Sequence, residues 1–212
     1  PIPWHTVGLD YLTHLPESNG FNSVLIVVDH LTRMAHFLPC TESITAEETA
    51  TLFLQGVYRL HGLPRVLISD RDPKFVSAFW QTLWRRLGTR LNMSTSRHRE
   101  TDGLTERVNS TFQQLLLCFC CYDGSDWTTL LPQVEFAYNA SRALGIEHTP
   151  FEANFGFSPE EPHDLLFSMR PSIPISQDAT ERMRLLHEVH TLVRSVLQPV
   201  SYTHLTLPTI CS

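Results

Sequence analysis

Paired-cysteine chemistry, long apolar runs and an excess of positive charge are all missing from this 212-residue chain. Its five cysteines are an odd number, three of them crowd into Cys118, Cys120 and Cys121, and no Cys-x-x-Cys or matching His spacing occurs. Neither a disulfide framework nor a zinc site is supported, and a reducing cytosol or nucleus is the natural compartment. The longest apolar stretches, 23–28 and 112–121, stop well short of the ~18 residues a membrane helix needs, so no membrane partner is expected. No signal or transit segment opens the chain. No Ser/His/Asp or reactive-Cys arrangement marks a protein nucleophile. Sixteen Lys and Arg against 22 Asp and Glu give a net charge of −6, which by itself argues against a nucleic-acid partner, because phosphate binding depends on Lys and Arg.

What is present suits one well-buried domain plus an appendage: 42% hydrophobic residues, 12 Phe and 14 Pro. The chain opens on Pro1-Ile2-Pro3-Trp4 with no initiator Met and reads as a piece of something longer. After Pro199, which ends a helical pattern, Val200 to Thr209 carry no charge and no period. Those residues match the read-through translation of a transposon-based sequencing-library adapter, so 200–212 are set aside as a tag is.

Trp4 to Leu15 and Ser23 to Thr32 are strand-like, and the turn cluster Pro16-Glu17-Ser18-Asn19-Gly20 makes them a hairpin. Ala35 to Cys40 supplies a third strand. Thr45 and Glu48 then form a capping box, with Ala50, Phe53, Leu54, Val57 and Leu60 at helical spacing until Gly62 and Pro64. Arg65 to Asp70 is a fourth strand. Ser77 to Leu87 is a helix whose stripe Trp80, Leu83, Trp84 and Leu87 goes to the core, and Arg90 to Thr95 is a fifth strand. Helices are expected from about Thr105 to Tyr122, from Asp126 to Ala143 with Pro132 kinking or splitting it, and from about Ala179 to Gln198 after a Pro/Gly/Phe-rich connector that starts at Thr149. This order of elements predicts an α/β fold of RNase H-like type, with a mixed five-stranded sheet flanked by helices.

Three carboxylates occupy positions where a carboxylate is costly unless employed. Asp10 interrupts the apolar strand Val7 to Leu12, Asp70 ends the fourth strand, and Glu106 is expected in the first turn of a helix beside a Thr101-Asp102-Gly103 turn. Each alone is most often structural. Together they change the balance, because neighbouring first and fourth strands would set Asp10 beside Asp70 and a crossing helix would bring Glu106 to the same point. Three converging carboxylates repel unless cations are present. A pair of Mg²⁺ ions resolves the repulsion and is what in-line phosphoryl displacement needs.

Thirty-five residues lie between Asp70 and Glu106, the D,D-35-E spacing of retroviral and retrotransposon integrases. Around them Val27-Val28-Asp29-His30-Leu31-Thr32-Arg33, Leu60-His61-Gly62-Leu63-Pro64, Ile68-Ser69-Asp70-Arg71-Asp72, Thr105-Glu106-Arg107-Val108-Asn109, Phe136-Ala137-Tyr138-Asn139 and Thr149-Pro150-Phe151 follow in order. In these blocks, which fall within residues 4 to about 162, the chain resembles the integrase catalytic core of gypsy-type LTR retrotransposons. The resemblance implies metal-dependent 3′-end processing and strand transfer of element cDNA into target DNA. It makes Asp10, Asp70 and Glu106 both the catalytic residues and the ligands of two Mg²⁺ ions, with Mn²⁺ able to stand in. It also implies double-stranded DNA as partner, a homo-oligomer, and work in the nucleus after a cytoplasmic element particle. Residues 1–162 would be the core, 163–199 a connector and amphipathic helix.

Arg97, His98, Arg99 and Arg107 flank the expected site, and Asn109 and Gln113 follow Glu106 on its helix face; all six are candidates for DNA contacts. The family's His-Pro-Gln-Thr-Asp-Gly-Gln-Thr-Glu reads here with Arg99, Glu100 and Leu104 at the Pro and the two Gln positions. Those changes keep a second reading open, a catalytically decayed DNA-binding or assembly module. The negative charge also resolves by position: residues 1–107 carry 11 basic and 11 acidic groups, and residues 108–212 carry 5 and 11.

Overall fold

The structure, a computed structural model, describes residues 2–93, 99–119, 127–142, 148–160 and 184, and within 99–119 it leaves aside the side chains of 99–103, 106, 115 and 117–119. Five strands form one mixed sheet: β1 (Thr6–Leu12), β2 (Ser23–Asp29), β3 (Ala35–Cys40), β4 (Val66–Ser69) and β5 (Arg90–Met93), in the order β3-β2-β1-β4-β5. β1, β2 and β3 are antiparallel neighbours, whereas β4 joins β1, and β5 joins β4, in parallel. The crossover from β3 to β4 runs through α1 (Ala46–Phe53), a wide π-type turn (Leu54–Tyr58) and α2 (Arg59–His61). After β4 come α3 (Pro73–Val76) and α4 (Ala78–Arg86), then β5, α5 (Arg99–Phe119), α6 (Trp127–Ala140) and α7 (Pro150–Phe155).

The pleat divides the strand side chains between two cores. Val24, Ile26, Val28, Ala35 and Phe37 face α5 and α6, where Val108, Phe112, Leu116, Trp127 and Val134 are buried. Val7, Leu9, Leu25, Val27 and Leu67 face α1 and α4 on the other side, among Phe53, Phe75, Trp80 and Trp84. Both tryptophans of α4 are fully enclosed. Among the described residues no helix is long and apolar enough to cross a membrane.

Several expected elements shift. The capping box forms as expected, with Thr45 accepting from the Glu48 N–H and Glu48 from the Thr45 N–H. The π-type turn then puts more than four residues into one turn, so the stripe loses phase: Val57 is buried, but Leu60 is 53% exposed. Leu87, taken as the end of the α4 stripe, is only the cap residue and is 39% exposed. α5 starts at Arg99, so residues 101–103 are helical rather than a turn, and Glu106 lies beyond the first turn. Pro132 is accommodated inside a continuous α6. The connector expected from Thr149 begins with a helix, α7, opened by a second capping box between Thr149 and Glu152 with Pro150 at its first position. The expected helix after Ala179, apart from residue 184, and the cysteine pair 120–121 lie outside the described residues.

β3 is an edge strand, and α6 covers its open edge. Asn139 accepts from the Ala35 N–H and donates to the Ala35 carbonyl (2.9 and 2.8 Å), and Glu135 accepts from the Phe37 N–H at 2.8 Å. Pairing those groups removes a template for unwanted strand addition. Glu135 also meets His36 Nδ1 at 2.8 Å, and His36 Nε2 meets His61 Nε2 at 2.8 Å. The His61 ring stacks on Trp4, with centroids 3.7 Å apart and planes 8° from parallel. Burial first, and the neighbouring His36 second, lower the His61 pKa from 6.5 to about 4.

A folded-state pKa below the unfolded value means that the unfolded chain takes up the proton first as pH falls. This histidine's share of stability is therefore fully present above its ordinary pKa and is lost as pH drops from 6.5 to about 4. We expect His61→Gln to flatten the fall in melting temperature between about pH 7 and pH 4.5 relative to the parent chain. Superimposable melting curves across that range would contradict this.

Candidate active site

β1 and β4 pair in parallel with Leu9 opposite Ser69, so the next residues, Asp10 and Asp70, are neighbours at the carboxyl edge of the sheet. Residues in register on parallel strands point to the same face. Asp10 lies on the α5 face: Asn109 of α5 donates from Nδ2 to Asp10 Oδ2 at 2.5 Å. The other oxygen, Oδ1, accepts from the Tyr11 N–H at 2.8 Å. Asp70 is half-buried, and its Oδ1 accepts from the Asp72 N–H at 3.0 Å, which closes a tight turn after β4. Asp72 in turn caps α3 and pairs with Lys74 at 3.2 Å, and the Lys74 ammonium sits 4.4 Å above the Tyr11 ring. Tyr11 shows no sign of acid–base use: burial raises its pKa against a hydrogen bond to Thr49, so it remains a neutral phenol.

α5 approaches β1 closely enough to need a glycine. A Cβ on Gly8 would stand 2.5 Å from Thr105 Oγ1 and 3.0 Å from His30 Nε2. Thr105 itself is buried, Leu104 packs against the core, and Val108 and Phe112 are buried one and two turns further on. Glu106 follows Thr105 directly and precedes Asn109 by three residues, so its backbone is held between the helix contacts to Gly8 and to Asp10. Its side chain lies outside the description, and among the described residues no three His, Cys, Asp or Glu side chains form a metal-holding group.

Of the other expected site residues, Arg107 and Gln113 are exposed on α5. The Asn109 side chain faces Asp10 rather than solvent, and its Oδ1 is buried with no hydrogen-bond partner among the described residues. Arg99 begins α5, and Arg97 and His98 lie outside the described residues. Sequence reasoning grouped Asn109 with the DNA contacts and passed over Gly8 and Thr105. A glycine one pleat before a strand aspartate, and an Asn one helical turn after the glutamate, were the signals available.

No family model matches the chain. It is 38% identical over 157 residues, 74% of its length, to the Tf2-3 and Tf2-4 transposon polyproteins of the fission yeast Schizosaccharomyces pombe. Its fold matches the HTLV-2 integrase catalytic core domain solved in complex with magnesium, with a TM-score of 0.58 at 18% identity over 72% of this chain and 97% of that one. The chain is thus similar in sequence to retrotransposon polyproteins and shares the fold of retroviral integrase catalytic cores. The bovine immunodeficiency virus (BIV) integrase core gives a TM-score of 0.55 at 19% identity over 78% of this chain and 99% of that one. An intasome of simian T-cell lymphotropic virus in complex with a PP2A regulatory subunit gives 0.60 at 16% identity, over 83% and 58%. The chain spans about 12% of the length of the polyproteins it matches.

The Gly8 contact is open to a paired test. Gly8→Ala sets a methyl group against the Thr105 hydroxyl and the His30 ring, and overpacking of this kind costs roughly 1–3 kcal/mol. Adding Thr105→Ala removes the nearest clashing atom and should recover part of that loss in urea melts. A double variant no more stable than Gly8→Ala alone would show that the close approach is not limiting.

Proposed function

We propose that the chain is the catalytic segment of a DNA-integrating enzyme, carrying out 3′-end processing and strand transfer of retroelement cDNA into target DNA. One observation carries the reading. A parallel strand pair sets Asp10 beside Asp70, and the helix bearing Glu106 is locked to the same strand at Gly8 and tied to Asp10 by Asn109. The sequence similarity to retrotransposon polyproteins and the integrase-core fold support the reading, and the magnesium of the HTLV-2 neighbour is in keeping with it.

The residues fit divalent cations. Asp10, Asp70 and Glu106 offer oxygen donors only, which suits Mg²⁺ or Mn²⁺ over softer metals. Asn109 Oδ1, buried and without a hydrogen-bond partner among the described residues, is a further acceptor beside Asp10. When bound, two such ions would activate the attacking oxygen and stabilise the departing one. The chain's own residues orient the ligands: the Asn109 amide and the Tyr11 N–H hold the two Asp10 oxygens, and the Asp72 N–H holds Asp70. Arg107 and Gln113, exposed on the helix that bears Glu106, are placed to meet phosphates, with Arg97, His98 and Arg99 as further contacts. Double-stranded element ends and target DNA are the partners, and joining two ends in concert calls for more than one copy. The reaction belongs in the nucleus. Residues 1–162 form the catalytic unit and 163–199 its link to flanking parts of a longer polyprotein.

The alternative, an assembly module without catalysis, draws on the substituted residues before Glu106. Leu104 weakens it: the leucine is half-buried against the core cluster, where an apolar side chain is accommodated. Joining of a labelled duplex with Mg²⁺ present should fall at least about 100-fold in Asp70→Asn, since losing a metal-ligand carboxylate removes several kcal/mol of transition-state stabilisation. Equal product from the parent and Asp70→Asn would leave only the assembly module.

A further inference from the structure

Between Glu48 and Glu100 the chain carries nine Lys and Arg and only two carboxylates, Asp70 and Asp72. Of those nine, Lys74 is paired with Asp72. Four others gather at the opposite end of the sheet from the acids. α4 returns the chain from the carboxyl edge to the start of β4, with Arg85 and Arg86 in its last turn. β5 then begins at Arg90, whose N–H donates to the Arg65 carbonyl at 2.8 Å. Arg65, Arg85, Arg86 and Arg90 are all exposed, and among the described residues none of their guanidinium groups has an ionic partner. Arg85 and Arg90 also line a groove of about 340 Å³ with Gln81, Thr89, Leu91 and Met93 beside β5.

Arginines in the last turn of a helix offset its dipole. That accounts for Arg85 and Arg86, but Arg65 and Arg90 sit at the starts of strands and have no such use. Four like charges at one end of the sheet, with no counter-charge among the described residues, repel one another, a standing cost that a polyanion would relieve. An acidic peptide added to the sheet edge is the other polyanion to consider. Among the described residues β5 offers it four positions, a short edge for strand addition. A phosphate backbone needs no edge pairing, only charge spread over a surface. Arg65 precedes Asp70 by five residues, about 16 Å along a strand and close to five base-pair steps of a duplex. The patch therefore meets a different stretch of backbone from the one at the acids.

We propose that the Arg65, Arg85, Arg86 and Arg90 patch, with its groove along β5, is a second DNA-backbone site at the end of the sheet opposite the acidic residues. It rests on the reading that DNA is the substrate, and it is separable from catalysis because no metal is needed there. Binding of a labelled duplex to the full chain is measured by anisotropy in EDTA across a KCl series. The combined Arg85→Ala, Arg86→Ala and Arg90→Ala variant should bind more weakly, with the slope of log affinity against log salt shallower by about 2 to 3. The matching triple Lys variant should keep the parent slope. Circular dichroism of the Ala variant should keep the parent's spectrum and a cooperative melt, since all three residues are exposed. The same slope and affinity for parent and Ala variant would overturn the proposal, as would a parent that binds no duplex in EDTA. Polyglutamate displacing duplex at equal charge concentration would also overturn it and point to an acidic polypeptide. Because this readout needs no joining reaction, its failure leaves the Asp70→Asn result to stand or fall separately.

Discussion

The parallel pairing of β1 with β4 is the constraint on which the rest of the molecule depends. A parallel neighbour cannot be reached by a hairpin, so the chain must leave the sheet and return, and the passage through α1, the π-type turn and α2 is that return. The register then makes Asp10 and Asp70 adjacent at the edge where β4 ends. Two carboxylates at neighbouring strand positions oppose folding. Part of that opposition is met locally, because the N–H groups of Tyr11 and Asp72 and the Asn109 amide each donate to one of their oxygens. The arrangement is costly as architecture alone and becomes economical once something positive is held there.

The second requirement is closeness. Helix α5 carries both a core stripe, Val108, Phe112 and Leu116, and the residues that bear on the site. Because Gly8 has no side chain, Thr105 reaches the β1 backbone, and the core contacts that bury Phe112 set where Asn109 meets Asp10. Packing and site geometry are therefore one variable: a substitution that lifts α5 off the sheet moves the tether on Asp10 with it. The far rim is pinned separately, by Asn139 and Glu135 on β3. A disturbance at the active edge need not loosen the opposite one.

Much of this was legible from residues alone, and the exceptions share a cause. β3 and the Thr45 capping box came out as expected because alternation and capping are local signals, carried within a few residues. The neighbouring of β1 and β4 followed from the expected order of elements, and it set the Asp10 of one strand beside the Asp70 that ends the other. The π-type turn was not legible, since the widening that exposes Leu60 has no residue signature of its own. The early start of α5 was missed because Asp102-Gly103 is a strong turn pair, and the longer-range contacts of the helix override it. α7 carried a capping box and a Pro at its first position, but it sits in a stretch whose Pro, Gly and Phe content reads as connector. The contact of Asn109 with Asp10 was not legible, because a polar helix face looks the same whether it meets solvent or a strand carboxylate.

Net charge was the least informative of the opening quantities, and the fold explains why. Coulombic attraction at physiological salt acts over ~8 Å, so a ligand on one end of the sheet feels the residues there and not the sum over the chain. Between Glu48 and Glu100 the only acids are Asp70 and Asp72; Asp72 is paired with Lys74, and Asp70 is at the edge assigned to metal. The arginines of α4 and β5 are left with no opposing carboxylate among the described residues, while the excess of acids falls after residue 107. A chain of net charge −6 can thus present a cationic surface to DNA, because folding gathers the basic groups of one sequence segment at one end of the sheet and holds the acids of that segment at the other.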